Sequence, residues 1–124
     1  MSSARASIES HRDLVVWQKS MDLAVAAYRL TDAFPGHERY GLTSQIRRSC
    51  ASIPANIAEG YGRESAGAYA QQLKIAQGSL KESETHVELT HRIGMIDECT
   101  LSSVLKSSEE VGKMPRSLIR AIER

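Results

Sequence analysis

Apolar residues recur every three or four positions along almost the whole chain, and no stretch alternates as a half-buried strand would. Pro35-Gly36 and Gly60-Tyr61-Gly62 interrupt this helical pattern. The start signals predict four helices, which begin near Asp13, at Thr43 or Ser44, at Ser65 and after Asp97. Because the connections are short, neighbouring helices should run antiparallel. The pattern therefore predicts an all-α, up-down-up-down four-helix bundle over residues 13–124, preceded by a flexible leader over residues 1–12.

Composition and charge argue against several classes of protein. The 124 residues are 41% hydrophobic and carry a formal net charge of +1, so no strong overall field attracts the chain to nucleic acid. No apolar run approaches the roughly 18 residues needed to cross a bilayer, so we expect no membrane partner. Cys50 and Cys99 lie far apart and form no C-x-x-C pair, which favours reduced thiols and a cytoplasmic location.

Charge is distributed unevenly along the chain. Residues 1–63 carry 8 basic and 6 acidic side chains, residues 64–112 carry 4 and 8, and residues 113–124 carry 4 and 1. The corresponding net charges are +2, −4 and +3, which sum to the +1 of the whole chain. The two ends of the sequence are therefore basic and its middle is acidic.

The first helix has two apolar stripes, whereas a helix of a monomeric bundle needs one. At 100° per residue, the first stripe contains Leu14, Trp17, Met21, Ala24, Val25 and Tyr28. The second stripe lies on nearly the opposite side and contains Val16, Leu23, Ala27, Leu30 and Phe34. Three apolar residues of the third helix also lie off its main stripe, namely Ile75, Leu89 and Ile93. Scattered surface hydrophobes are one explanation, but two aligned stripes favour a subunit interface made by the second stripe and these three residues, with another copy of the chain as partner.

Residues 45–63 combine a core face with a continuous polar strip. The core face of the second helix should contain Ile46, Cys50, Ile53 and Ile57, which keep helical spacing. Pro54 removes one backbone donor, which should kink this helix rather than end it. The polar strip follows the same spacing beside the core face and contains Gln45, Ser49, Ser52, Asn56, Glu59 and Arg63. The back of the helix carries small residues, Ser44, Ala51, Ala55 and Ala58, which would let another helix approach closely.

Three stretches resemble a known family: DLVVWQKSMDLAVAAYRLT, FPGHERYGLTSQIRRSCASIPANIAEGYGR and LKIAQGSLKESET. They resemble the four-helix bundle proteins first noticed in reading frames inside intervening sequences of bacterial 23S ribosomal RNA genes. They are also similar to the accessory variability determinant of diversity-generating retroelements. The most specific parts are NIAEG and YGL-x-x-Q-x-RR. The resemblance implies a four-helix protomer, commonly assembled as a ring of five with a central channel. For the retroelement relatives it implies a basic, RNA-binding partner of a reverse transcriptase.

No catalytic or metal-binding motif is complete in the sequence. In HVELTH, residues 86–91, the histidines are five positions apart and diverge on a helix, so they do not form an H-E-x-x-H zinc site. Glu88 and His91 have the Glu-x-x-His spacing of di-iron bundles, but such a site needs a second copy of the motif and two further glutamates. We therefore expect a protein that is not an enzyme and holds no cofactor or metal.

Two groups of basic residues are candidates for contact with RNA or DNA. Arg47, Arg48 and Arg63 would suit phosphate, but they would equally suit carboxylates such as that of Glu59. The second group lies on one side of the fourth helix and contains Lys106, Lys113, Arg116, Arg120 and Arg124. Cations near the end of a helix also complement its dipole. Because aromatic residues make up only 5% of the chain, any such binding would depend on phosphate contacts and on salt.

These observations favour a non-catalytic, oligomeric assembly or adaptor protein, whose further partner would be RNA or a nucleic-acid-handling protein. The alternative is a protein that binds RNA or DNA directly through its basic residues, as the retroelement relatives do. A metal-dependent oxidase is a third hypothesis, which rests only on the single Glu-x-x-His.

Overall fold

The described part of the chain is built from four long helices. A computed structural model describes residues 7–124, so half of the expected leader lies outside the described residues. The helices are α1 (Val15–Asp32), α2 (Leu42–Tyr61), α3 (Ala66–Arg92) and α4 (Glu98–Glu123), with 3-10 turns at His11–Asp13 and Gly36–Glu38. No strand occurs between residues 7 and 124. The predicted all-α four-helix fold is confirmed.

Local polar contacts explain where three of the helices begin. The side chains of Ser65 and Asp97 cap α3 and α4, because each accepts a hydrogen bond from a backbone N–H three residues later. α2 begins at Leu42, whose N–H donates to the carboxylate of Glu38 at 3.2 Å. The prediction of a cap at Thr43 or Ser44 is wrong, because the preceding 3-10 turn supplies the acceptor instead.

Two prolines lie inside helices without ending them. α2 continues through Pro54 to Tyr61, as predicted, and α4 continues through Pro115. Both prolines are buried, so neighbouring helices cover the turns at which the backbone ladder lacks a donor.

The core lies between the four helices and consists of two clusters of buried residues. The first contains Val16, Leu23, Ile53, Ile57, Leu73, Ala76, Leu80, Val111 and Ile119. The second contains Ala24, Ala27, Ile46, Cys50, Val87 and Leu101. The predicted core face of α2 is confirmed, since all four of its members are buried. Leu73, Ala76, Leu80 and Val87 of α3 lie in these clusters, and Tyr69 packs against the first of them.

α1 turns its second stripe to the core, so the predicted assignment of the two stripes is wrong. Val16, Leu23 and Ala27 are at most 8% exposed and pack within the two clusters. Phe34 packs against the second cluster and Leu30 lines a cavity, so both are partly covered by the chain's own helices. The physical reason is that both stripes are apolar, and helical spacing does not indicate which of them the other three helices cover.

The contacts between neighbouring helices differ in extent. α2 and α3 share the most extensive contact, whereas α1 and α4 touch least. A cavity of about 70 Å³ lies on the α1–α4 side of the bundle. It is lined by apolar residues such as Leu23 and Val87 and by polar residues such as Ser83 and Ser108. The bundle is therefore tightly joined along one side and loosely joined along another.

Candidate interaction surfaces

The polar strip of α2 lies against α3 and forms what we call the polar seam. Ser49 accepts a hydrogen bond from the hydroxyl of Ser83 at 3.1 Å, and the hydroxyls of Ser52 and Ser79 are 2.9 Å apart. Asn56 donates to the backbone oxygen of Ser52 at 2.7 Å. Ser49 and Ser83 are buried, so their hydroxyls are paired with each other and with backbone carbonyls instead of water. The polar groups of Ser49, Ser52 and Asn56 in this strip are therefore used within the chain.

The rest of the polar seam contains charged groups at its exposed edge. Glu59 accepts hydrogen bonds from Arg63 at 2.5 Å and from Gln72 at 3.4 Å. Gln45 accepts from Arg48 at 2.5 Å. Of these contacts, the one between Glu59 and Gln72 crosses to α3 and joins the two helices at the surface.

Gly60, in the NIAEG segment, marks the closest approach of α2 to α3. A Cβ atom at this position would lie 2.8 Å from the Cβ of Gln72 and 3.0 Å from Cδ1 of Tyr69. Contacts this short do not occur between carbon atoms in relaxed structures. Glycine therefore permits the spacing of the two helices at this end of the seam.

The arginines of α2 are paired with carboxylates within the chain. Arg47 contacts Asp32 at 2.9 Å and donates through Nε to the hydroxyl of Thr31 at 2.7 Å, and its guanidinium lies 4.7 Å from the ring centre of Tyr28. Arg47 therefore ties the start of α2 to the end of α1. Arg48 contacts Glu82 at 2.9 Å, which ties α2 to α3. With Arg63 on Glu59, all three candidates for phosphate contact take part in ion pairs.

The basic residues of α4 differ from those of α2 because they are not neutralised within the described chain. All five members of this basic face are exposed, namely Lys106, Lys113, Arg116, Arg120 and Arg124. No ion pair involving them occurs within residues 7–124. Glu123, the carboxylate nearest to them in the sequence, instead contacts Lys74 of α3 at 2.7 Å.

An apolar groove runs between the outer sides of α1 and α2. Met21, Val25 and Tyr28 line its α1 side and are 38%, 43% and 46% exposed. Ala51 and Pro54 of α2 line the other side. We call this surface the α1–α2 groove. The three α1 residues are the exposed part of the first stripe of α1, whereas Ala24 of the same stripe is buried and Leu14 and Trp17 pack against the core.

The outer face of α3 carries a second set of exposed apolar side chains. Ile75, Leu89 and Ile93 are 42%, 45% and 54% exposed. They share one side of the helix, on the side away from Leu73, Ala76 and Leu80 in the core, and we call this surface the α3 ridge. These three members of the predicted interface are therefore accessible to a partner.

The model for the family described as 23S rRNA-intervening sequence protein matches residues 12–117. The chain belongs to this family. A protein of unknown function from the S23 ribosomal protein family of Bacteroides thetaiotaomicron has a similar crystal structure, with a TM-score of 0.80 and 31% identity over 86% of this chain and 96% of that chain. No curated protein matches.

His86 and His91 of this 23S rRNA-intervening sequence family member lie beside different carboxylates. His86 contacts Glu82 at 3.4 Å, whereas Nε2 of His91 contacts Glu98 of α4 at 3.1 Å. Glu88 lies 3.9 Å from His91. Within the described residues, no group of three or more His, Cys, Asp or Glu side chains is placed to hold a metal ion.

The two cysteines of this family member have different surroundings. Cys50 is buried in the second core cluster, and burial raises the pKa of its thiol although a hydrogen bond with Ser83 opposes the shift. A protonated, buried thiol is a poor nucleophile. Cys99 is exposed near the start of α4.

In the part of the chain that the structure describes, no helix combines the length and the apolar character needed to cross a membrane.

Sequence reasoning missed Met21, Val25 and Tyr28 as a surface of this family member. A signal for them was present in the positions of charge on α1. Arg29 and Asp32 fall on the same side of the helix as Val25, and both line the groove. A stripe interrupted by charged side chains is the one that faces water, so these two residues identify the outer face.

Proposed function

We propose that this protein is a non-catalytic, homo-oligomeric assembly protein, whose further partner is RNA or a nucleic-acid-handling protein. The supporting observation is that two surfaces expose large apolar side chains although the core is complete. The α1–α2 groove and the α3 ridge each carry three of them at helical spacing. Complete burial of one Val, Leu or Ile side chain is worth roughly 1.5–3 kcal/mol, so covering both surfaces favours association.

The number of subunits in the proposed assembly follows from the family and not from the exposed surfaces. The resemblance to the 23S rRNA-intervening sequence proteins implies a ring of five subunits, whereas the exposed surfaces imply only association. Two free thiols in the described chain support a cytoplasmic location for the assembly, where thiols stay reduced.

Light scattering on the purified chain tests the proposal. We expect a mass that is a multiple of 13.7 kDa, and about 68 kDa for a ring of five, which is five times 13.7 kDa. A mass near 13.7 kDa at all concentrations would refute the assembly function. A stable dimer or tetramer would leave the assembly function standing and refute the ring of five.

A second candidate function is direct binding of RNA or DNA through the basic face of α4. The observation that favours it is the contrast between Arg47, which is paired within the chain, and exposed residues such as Arg120. Cations that make no ion pair within the chain are available for contact with phosphate.

Titration with mixed RNA at two salt concentrations tests this second candidate. We expect affinity to fall as salt rises, because bound phosphates release counterions. Arg120→Glu should weaken binding several-fold. Arg39→Glu is the matched control, since it makes the same charge change at the opposite end of the bundle. Absence of binding at low salt, or equal weakening by both substitutions, would reject the basic face as the site.

A further inference from the structure

We infer that the cavity on the α1–α4 side of the bundle is a binding site for a small, uncharged, apolar molecule. We call it the α1–α4 cavity. This inference goes beyond the proposed function, because it concerns the interior of one chain and does not depend on whether copies associate. The lining of the cavity, its mouth, the charges beside the mouth and its volume each support it.

The wall of the α1–α4 cavity is mainly apolar and comes from all four helices. Leu23 and Ala27 of α1 and Val87 of α3 are buried members of this wall. Cys50 of α2 is buried there as well, and a protonated thiol behaves as a small hydrophobic group. Val104 of α4 is partly buried and completes the wall. A molecule in the cavity would therefore contact mostly hydrocarbon.

The polar groups of the buried wall already have partners within the chain. The hydroxyl of Ser83 donates to Ser49 at 3.1 Å and to a backbone oxygen of α3 at 2.8 Å. The hydroxyl of Ser108 donates to the carboxylate of Glu84 at 2.5 Å, and Lys81 neutralises that carboxylate from 3.0 Å. A water molecule in a cavity needs about two to four polar partners, whereas an apolar molecule needs none. The wall therefore favours an apolar molecule over water.

The mouth of the α1–α4 cavity has small residues where α1 faces α4. Ala26 of α1 and Ser103 and Ser107 of α4 line the cavity and are exposed. Because α1 and α4 share the least extensive contact between neighbouring helices, few contacts break when these two helices separate. A small molecule can therefore enter between them.

The charges beside the mouth favour neither a cation nor an anion. Two surface grooves share Ala26 with the cavity. Their charged residues are two basic and two acidic side chains, namely Lys19, Asp22, Arg29 and Glu110. These formal charges sum to zero, and an ion that moved inward would lose its hydration without gaining an unpaired counter-charge. An uncharged molecule does not meet this cost.

The volume of the cavity limits the size of the molecule that it can hold. The α1–α4 cavity measures about 70 Å³. An apolar cavity of about 150 Å³ holds benzene, so one of about half that volume has room for roughly three non-hydrogen atoms. A short hydrocarbon or a single xenon atom meets this limit.

Xenon is a suitable probe for this site because it is small, uncharged and apolar. We expect xenon pressure on the full chain to cause saturable NMR shifts in the methyl groups of Leu23, Val87 and Val104, which line the cavity. The methyl groups of Leu73, which is buried in the first core cluster away from the cavity lining, should not show them. Acetate, a small anion, should leave all of these methyl groups unshifted.

Substitutions that fill the cavity provide the second part of the test. Ala27→Leu adds a branched hydrocarbon group to the wall and should abolish the saturable xenon shifts at Val87 and Val104. Ala121→Leu is the matched control, because it makes the same change at an exposed residue of α4 outside the cavity lining, and it should keep the shifts. Helical circular dichroism shows whether each variant folds. If Ala27→Leu does not fold, Val104→Phe fills the same space from α4.

The results distinguish a binding site from general uptake of xenon into the core. Absence of saturable shifts in the unmodified chain, equal shifts at Leu73, or shifts that persist in a folded filling variant would overturn the inference. Acetate shifts as large as those with xenon would overturn the preference for an uncharged molecule. Xenon shifts confined to the cavity lining and lost on filling would support the inference even in a monomeric chain, so it and the proposed function fail separately.

Discussion

At the scale of single residues, Gly60 sets the distance between two helices through the absence of a side chain. Gly60→Ala would place a Cβ atom 2.8 Å from that of Gln72, so α2 and α3 must move apart. We expect the free energy of unfolding to fall by about 1–3 kcal/mol, as for other overpacked sites. Gly67→Ala is the control, because Gly67 has open space around it and alanine favours helix. Urea unfolding measures both, and equal stability of the two variants would contradict this account.

Asp97 links the stability of the molecule to pH. The hydrogen bond from Thr100 lowers the pKa of this carboxyl group, so the folded state retains the charged form to lower pH than the unfolded state does. The stabilisation is present above the unfolded pKa and is lost as pH falls through the lower, folded-state pKa.

Asp97→Asn isolates this effect, since asparagine also caps helices but carries no titrating group. We expect the stability of the unmodified chain relative to Asp97→Asn to decrease as pH falls below about 4. Urea unfolding of both chains between pH 6 and pH 2 measures the difference. A difference that stays constant over this range would mean that the carboxylate contributes nothing beyond what the amide supplies.

At the scale of helices, the polar seam joins α2 and α3 through hydroxyl groups. Ser83 donates to both Ser49 and the backbone oxygen of Ser79, so its single proton is shared. We expect a double-mutant cycle with Ser49→Ala and Ser83→Ala to give a coupling free energy of about 0.5–1 kcal/mol. Ser117, which is exposed on α4, provides the control, and Ser49→Ala with Ser117→Ala should be additive. Additive effects for Ser49 and Ser83 would show that the hydroxyls do not interact.

The two stripes of α1 indicate how far the sequence determines the fold and the surfaces. Periodicity predicts four helices and the core faces of α2 and α3, because in these helices only one face is strongly apolar. It does not decide between the stripes of α1, where the outcome depends on tertiary contacts with three other helices. Likewise, the cap of α2 comes from Glu38, whose carboxylate reaches Leu42 only after the chain has turned. What the sequence leaves open in each case is a contact between separate elements.

Because α1 turns its second stripe to the core, substitutions at Leu23 and Val25 should change the free energy of unfolding by different amounts. Leu23→Ala removes a buried side chain and should lower the free energy of unfolding by about 2–5 kcal/mol. Val25→Ala removes an exposed side chain and should change it by no more than about 0.5 kcal/mol in the dissociated chain. Urea unfolding at low protein concentration measures both. A larger loss for Val25→Ala would restore the original assignment of the stripes.

At the scale of the whole molecule, association and stability should be coupled. An assembly that forms only from folded chains removes them from the unfolding equilibrium, so Tm should rise with protein concentration. Val25→Asp, which we expect to dissociate the assembly, should have a Tm that does not depend on concentration. Scanning calorimetry over a hundredfold range of concentration measures both. A constant Tm for the unmodified chain would contradict assembly through its folded state.

The small contact between α1 and α4 determines which helices can separate most easily. Because α1 and α4 touch least and the cavity lies beside them, small fluctuations that separate these two helices break few contacts. By contrast, we expect amide protons of the inner turns of α2 and α3 to exchange with solvent only when the contacts of the polar seam break. We therefore expect water to reach the thiol of Cys50 on the cavity wall when α1 and α4 separate, while α2 and α3 stay together.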